Sequence, residues 1–178
     1  TLRGPHVALR PIALDDVTPR YRDWLNDPEV NRYLETRHEK QTLESIRAFV
    51  EAKMAAPDEH LFTIRTGPED LHIGNIKVGP IHPRHRYADV SLFIGDMEDW
   101  GKGLAVEAIG LLARFGFETL KIEKLRAGCY GENEGSARAF EKCGWSREGL
   151  QKGFFQLGER RSDLIMLGIT RGEYSLRM

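Results

Sequence analysis

The residues best suited to chemistry stand in Asp99-Trp100-Gly101-Lys102-Gly103-Leu104-Ala105, where two glycines separate an apolar strand from a long helical pattern. Glycine lets backbone N–H groups converge on a ligand with no side chain in the way, and the unpaired N–H groups of a helix start favour an anion. Lys102 adds a positive charge at the rim of such a turn. The chemistry in view is the holding of a phosphate, and the bland alternative is a plain turn that opens a helix. A Walker A loop needs four residues between its first glycine and Gly-Lys, then Ser or Thr. Here five residues separate Gly95 from Gly101, and Gly103 follows Lys102. A dinucleotide fingerprint needs a third glycine where Val106 stands, and Glu123, about 20 residues on, supports it weakly.

A second stretch, Asn133-Glu134-Gly135-Ser136-Ala137-Arg138-Ala139-Phe140-Glu141-Lys142-Cys143-Gly144-Trp145, narrows the choice. With the glycine turn it resembles the GNAT acetyltransferase superfamily, whose pyrophosphate loop is written Q/R-x-x-G-x-G/A and whose later segment is N-x-x-S…Y/F-E-K-x-G-F. Trp100 takes the Gln/Arg place, and Gly103 and Ala105 fit. The likeness covers nearly the whole chain, including Leu9-Arg10-Pro11, the segment from Trp24 to Val30 and the final hairpin. It is nearest to the branch of ribosomal-protein-alanine and spermidine acetyltransferases. Trp24 to Arg37 and His72-Ile73-Gly74-Asn75-Ile76-Lys77 also look like enzymes of surface-polysaccharide pathways that acylate amino sugars on nucleotide carriers.

The resemblance implies an acetyl-CoA-dependent N-acetyltransferase working without a metal. The acetyl group would pass by direct attack in a ternary complex to a primary amine of a small molecule, such as a nucleotide-linked amino sugar, or of a protein N-terminus. Trp100, Gly101, Lys102, Gly103, Leu104 and Ala105 would hold the pyrophosphate, and Phe93 and Ile94 would offer strand backbone to the pantetheine arm. Asn133 would bond that arm, Ser136 would lie beside it, and Phe140 and Lys142 would flank arm and nucleotide. Asn133 also suits a plain helix cap. The resemblance allows a homodimer. A non-catalytic CoA-binding or regulatory domain is the rival, because the family's usual proton-giving tyrosine stands where this chain has Phe140.

Acetyl transfer to an amine that arrives protonated calls for a base, and the leaving thiolate calls for an acid. Asp89, in Ala88-Asp89-Val90-Ser91-Leu92, is the base candidate on a strand whose alternation puts Asp89, Ser91 and Phe93 on one face. A solvated strand-end charge explains it equally. Backbone N–H groups near Leu92 to Ile94 could polarise the thioester. Ser136 and Tyr130 are the substitutes for the missing acid, each with a structural alternative. Trp24, Tyr33, Glu35 and Arg37 suit an acceptor pocket, Trp24 being also a natural core anchor, and His85 in His82-Pro83-Arg84-His85-Arg86 suits a phosphate on the acceptor.

These residues need a scaffold, and the periodicity outlines one. A strand at Val7 to Ile12 leads to an acidic helix start at Leu14-Asp15-Asp16 with Pro19 in the first turn, and Asp27-Pro28 opens a short helix over Pro28 to Leu34. Thr42 caps a helix with Leu43, Ile46, Phe49, Val50 and Met54 on one apolar face. Strands follow at Leu61 to Arg65, Leu71 to Val78 and Tyr87 to Ile94, then a helix from Leu104 to Phe115, a strand from Leu125 to Tyr130, a helix from Asn133 to Cys143 with Gly144 as its cap, and a hairpin over Leu150 to Ile169. The class is α+β, a single domain over residues 1–178 with a mixed, largely antiparallel sheet of about seven strands and helices on both faces. The resemblance adds that the central strands splay.

Composition sets outer limits. At 178 residues and 40% hydrophobic, the chain can bury a core, and a net charge of −1 gives no basic field for nucleic acid or an anionic membrane. Apolar runs fall far short of the roughly 20 residues of a membrane helix, and Thr1-Leu2-Arg3-Gly4-Pro5 does not look like a signal peptide. The expectation is a cytoplasmic protein in which Cys129 and Cys143 are ordinary buried thiols.

Overall fold

The computed structural model describes residues 1–176, so residues 177 and 178 of the expected span 1–178 lie outside the described residues. The first strands are β1 (Leu2–Arg3) and β2 (Val7–Pro11), the latter burying Val7 and Leu9 on alternate positions. Helix α1 (Pro19–Asn26) begins on a proline that needs no N–H there, with the Thr18 hydroxyl accepting from Tyr21 N–H. Helix α2 (Leu43–Ala55) starts in a reciprocal Thr42–Ser45 capping box. Strands β3 (His60–Thr66), β4 (Leu71–Val78) and β5 (Tyr87–Ile94) form a meander. Helix α3 (Leu104–Arg114) runs on into a wider π turn over Phe115–Thr119. Then come β6 (Lys124–Tyr130), α4 (Glu134–Lys142), the long hairpin β7 (Ser146–Leu157) and β8 (Arg160–Thr170), and the short α5 (Arg171–Ser175).

Among the described residues the strands make one eight-stranded sheet in the order β1-β2-β3-β4-β5-β6-β8-β7, with β1 as the strand beyond the expected seven. Every neighbouring pair is antiparallel except β5 and β6. The sheet separates two apolar clusters, as the adjacent Leu61 and Phe62 of β3 show by joining different ones. One cluster packs α3 and α4 through Ile109, Leu112, Ala137 and Phe140 against Leu9, Ile64, Val90 and Leu125. The other packs α1 and α2 through Tyr21, Trp24, Leu25, Ile46 and Val50. The apolar stripe of α2 is split: Ile46 and Val50 are buried, whereas Leu43, Phe49 and Met54 are exposed.

The helix expected over Pro28 to Leu34 does not form. Its place is taken by turns, followed by a single 3₁₀ turn over Glu35–His38. Short polar side chains there satisfy the backbone in non-helical ways: Asp27 Oδ1 accepts from Glu29 N–H, and the Asn31 amide donates to the Leu25 carbonyl. Val30, β-branched and buried, adds no helix preference.

Candidate active site

β5 and β6 start side by side and then part. Their parallel pairing covers Tyr87–Asp89 against Lys124–Arg126 only, after which β5 stays with β4 and β6 with β8. The Gly79 N–H bonds the Asp89 carbonyl and the Gly95 N–H the Ile73 carbonyl, so odd-numbered residues of β5 turn their main chain to β4. Leu92 and Ile94 therefore turn theirs to the gap. The pairing corrects the expectation for Phe93: its main chain belongs to the β4 ladder and Leu92 takes its place, while Ile94 turns its main chain to the gap with its carbonyl bonded by the Trp100 indole. The Phe93 side chain faces the α1 side, stacked on Tyr21 at 6.1 Å between ring centroids.

At the mouth of the gap lies the glycine turn. Gly101 and Gly103 have φ of 75° and 82°, and a Cβ on either would meet nothing within 4 Å, so the space above the turn is open. Gly103 is the N-cap of α3, whose first-turn carboxylate, Glu107, is committed to the N–H groups of His6 and Val7 at 2.8 Å each. The carboxylate of the first turn thus spends its hydrogen bonds on the start of β2 and not on the free N–H groups of α3. Lys102 is exposed and held by Asp99 at 3.0 Å, a surface pair worth little that an anion can displace. Trp100, standing where the family has Gln or Arg, donates its indole N–H to the Ile94 carbonyl at 3.0 Å and ties the turn to the end of β5. Leu104 and Ala105 form the first turn of α3 behind the glycines. This open cradle fits a pyrophosphate, and the gap behind it fits a pantetheine arm.

Across the gap, Asn133 caps α4 by accepting from Ser136 N–H at 3.3 Å, which leaves its own amide N–H groups for a ligand. The Ser136 hydroxyl accepts from the Cys129 thiol, whose pKa burial pushes up. Cys129 is buried and Cys143 half-buried, both as free thiols. Phe140 is 2% exposed and packs on Trp145 at 4.7 Å within the core, so it does not flank the gap. It supports α4 from beneath, and Lys142 at the helix end is exposed.

On the α1 side of the sheet is a cavity of about 370 Å³ whose walls include Tyr21, Leu25, Ile46, Phe49, Leu61 and Phe93. Tyr33 and Glu35 line it as expected. Arg37 lies just beyond, in an open groove of about 550 Å³ shared with Arg32, His38 and Lys40. Glu35, Arg37 and Tyr130 form one network: the Tyr130 phenol donates to Glu35, and Arg37 donates to the Tyr130 oxygen and to the Gln156 carbonyl, both at 2.9 Å. The Tyr130 ring stacks on Phe155 at 3.9 Å with Tyr33 at 5.5 Å. Burial, and then the Glu35 hydrogen bond, raise the pKa of Tyr130, so it holds its proton at neutral pH. Counting on from the Asp89–Arg126 pair puts Tyr130 across the gap from Phe93.

Three expected residues stand elsewhere. Trp24 is 6% exposed, donates to Asp96 at 3.0 Å and is a core anchor. His85 stacks on His82 at 4.7 Å in the β4–β5 loop, away from the cavity walls. Asp89 is half-exposed at the closed end of the gap, held by Nε and Nη2 of Arg126 at 3.0 and 2.9 Å, and does not line the cavity.

His72 and Asn75 were not picked out singly in the sequence. Strict alternation would put them on opposite faces, but β3 and β4 slip register where Ile64 faces Gly74 and Arg65 faces His72. This bulge turns His72 onto the α1 side, against Trp24 at 5.2 Å and Tyr21 at 5.9 Å, and brings its Nε2 to Asn75 at 3.0 Å. The one sequence signal was Gly74 inside a strand. A Cβ there would come 2.2 Å from the Phe93 carbonyl oxygen.

The family model described as an acetyltransferase (GNAT) domain matches residues 6–146. The spermidine N(1)-acetyltransferase of Escherichia coli strain K12 is 32% identical over 90% of this chain and 84% of its own. The N-acetyltransferase p20 of Bacillus licheniformis is 25% identical over 98% of both. Among solved structures, the spermidine N-acetyltransferase of Vibrio cholerae, in complex with CoA and spermine, superposes with a TM-score of 0.86 over 97% of this chain and 99% of that one, at 21% identity. No helix among the described residues is long and apolar enough to cross a membrane.

Proposed function

Because the chain belongs to the GNAT acetyltransferase family and is an acetyl-CoA-dependent N-acetyltransferase, we propose that its acceptor is the primary amine of a small molecule seated in the cavity between α1, α2 and β5. A nucleotide-linked amino sugar fits this reading better than a protein N-terminus, because the cavity has walls on several sides where a peptide needs an open groove. The reading also takes the protein as cytoplasmic and allows a homodimer. The observation that carries it is the parting of β5 and β6 beside a turn whose two glycines hold left-handed backbone under open space.

Positioning supplies much of the rate in such a ternary complex. The chain's own proton handling falls to Glu35 and Tyr130. The protonated amine first gives one proton to solvent to free its lone pair, and Glu35 takes the second as the new N–C bond forms and the C–S bond breaks. Tyr130 gives its proton to the departing thiolate and recovers one from Glu35 through the hydrogen bond they already share. Phe140 has no proton to give and is buried. Ser136 is the second possible donor, and Asp89, the base expected from sequence, here fastens β5 to β6 at the vertex of the gap.

The test is calorimetric titration of the protein with acetyl-CoA, repeated on Gly103→Glu. The carboxylate should repel the pyrophosphate, so micromolar binding to the native protein, lost in a variant that melts as a folded protein, is the expected result. No binding to the native protein would overturn the loop assignment.

A further inference from the structure

The cavity holds one polar side chain whose hydrogen bonding is incomplete. Asn75 lines it, is 3% exposed, and has an Nδ2 without a hydrogen-bond partner among the described residues. Which end of the amide this is follows from His72. Its Nε2 lies 3.0 Å from both the Gly74 carbonyl oxygen and the Asn75 side chain. A carbonyl can only accept, so Nε2 carries the proton, and the Asn75 atom facing it must be the oxygen. Burial holds His72 neutral, which keeps that arrangement at neutral pH. The amide is thus oriented by His72; it leans on the Tyr21 phenol, a contact that opposes the upward push of burial on the Tyr21 pKa, but Nδ2 makes no well-formed hydrogen bond in a site that is otherwise mostly apolar. A buried donor left unmade is costly, and pockets fix ligand orientation with a few such groups.

The charges point the same way. Glu35 is the carboxylate lining the cavity, already bonded by Tyr130, and Lys77 is the ammonium, paired with Glu59 at 2.9 Å. A linear polyamine needs several carboxylates, which these walls do not offer. We propose that Asn75 determines acceptor specificity by donating a hydrogen bond to a hydroxyl or carbonyl oxygen beside the acceptor's amine, so that the enzyme acetylates oxygen-bearing amines and discriminates against polyamines and hydrocarbon amines. This rests on the amine-acetylating reading above. Asn75 stands on β4, one strand removed from the gap, so the oxygen is the acceptor's and not that of the thioester.

The experiment compares steady-state acetylation of 2-aminocyclohexanol, cyclohexylamine, glucosamine and spermidine by the native protein, Asn75→Leu and Asn75→Asp, with acetyl-CoA titrated calorimetrically into each. Leucine keeps the shape without the donors, and aspartate keeps the oxygen that His72 needs. The native protein should favour the hydroxyl-bearing amine over its hydrocarbon counterpart by at least about tenfold in kcat/KM, the scale of one unmade buried hydrogen bond. Both variants should lose that ratio chiefly through KM while binding acetyl-CoA as before. An unchanged ratio in the folded variants, an equal fall in kcat on every amine, or a native preference for spermidine would overturn the inference. Acetyl-CoA binding with no amine acetylated would instead remove the function it rests on.

Discussion

Tyr130 is the side chain on which the proposed chemistry turns, and its environment makes the test clean. Replacing it with Phe removes only the hydroxyl, and the ring keeps its stack on Phe155 at 3.9 Å, so the fold should hold. Glu35 and Arg37, 3.6 Å apart, remain to pair with each other. Losing the acid should lower kcat by about 10²-fold, the usual scale of a positioned proton donor, with the affinity for acetyl-CoA unchanged. Stopped turnovers by Tyr130→Phe and Ser136→Ala read the difference: a fall in the serine variant alone would move the acid to Ser136. The residue types of this network were legible in sequence, since Tyr33, Glu35, Arg37 and Tyr130 all suggested themselves. That they touch was not, because the Tyr130–Glu35 bond spans 95 positions. Phe140 misled for a related reason: its motif position suits the cofactor, but Trp145 draws its ring into the core.

Elements were legible wherever one local rule decided them. The glycine turn was one case, because a left-handed residue at a helix start asks for glycine whatever packs around it. Thr42 before α2 announced its helix in the same way, whereas the acidic start expected at Leu14-Asp15-Asp16 is a separate 3₁₀ turn and α1 begins only at Pro19, behind the Thr18 cap. The segment after Asp27 failed the rule because side chains compete with the helix there, and the β4 bulge was hidden because it exists only against β3. The junction of β5 with its following turn gives an element-scale prediction. A Cβ on Gly95 would lie 2.1 Å from the Trp24 ring, which is buried, bonded to Asp96 and edge-on to Phe93 at 6.3 Å. Trp24 cannot yield without moving Phe93 and with it the strand that lines the gap. Gly95→Ala should therefore cost about 1–3 kcal/mol, as overpacking does, and lower the melting temperature by roughly 2–4 °C for each. Gly101→Ala meets no atom and should cost only the left-handed strain of about 1–2 kcal/mol. Calorimetric melts of the two variants would refute the account if Gly101→Ala proved the more damaging.

The half-buried histidine that orients Asn75 also makes the stability of the whole molecule depend on pH. Burial is the largest influence on His72 and holds its pKa below the ordinary 6.5; nearby Asp16 opposes it and Arg65 reinforces it. His60, half-buried against the Phe115 ring at 5.5 Å, is lowered by burial as well. Between the folded pKa and 6.5 the unfolded chain carries a proton that the folded chain does not, so stability rises with pH across that window. The contribution is complete above 6.5 and is lost as pH falls below it. The melting temperature should accordingly drop as buffer is taken from pH 7.5 to 5.5. Protonating His72 adds a charge among Tyr21, Trp24 and Asn75 at the wall of the acceptor cavity, so the same acidification should weaken acceptor binding before the protein unfolds. His72→Gln supplies a neutral donor to Gly74 and cannot titrate, so its melting temperature should depend less on pH than the native one. Should the two slopes coincide, the pH dependence belongs to His60 or to the carboxylates, and His72 would be neutral without bearing on stability.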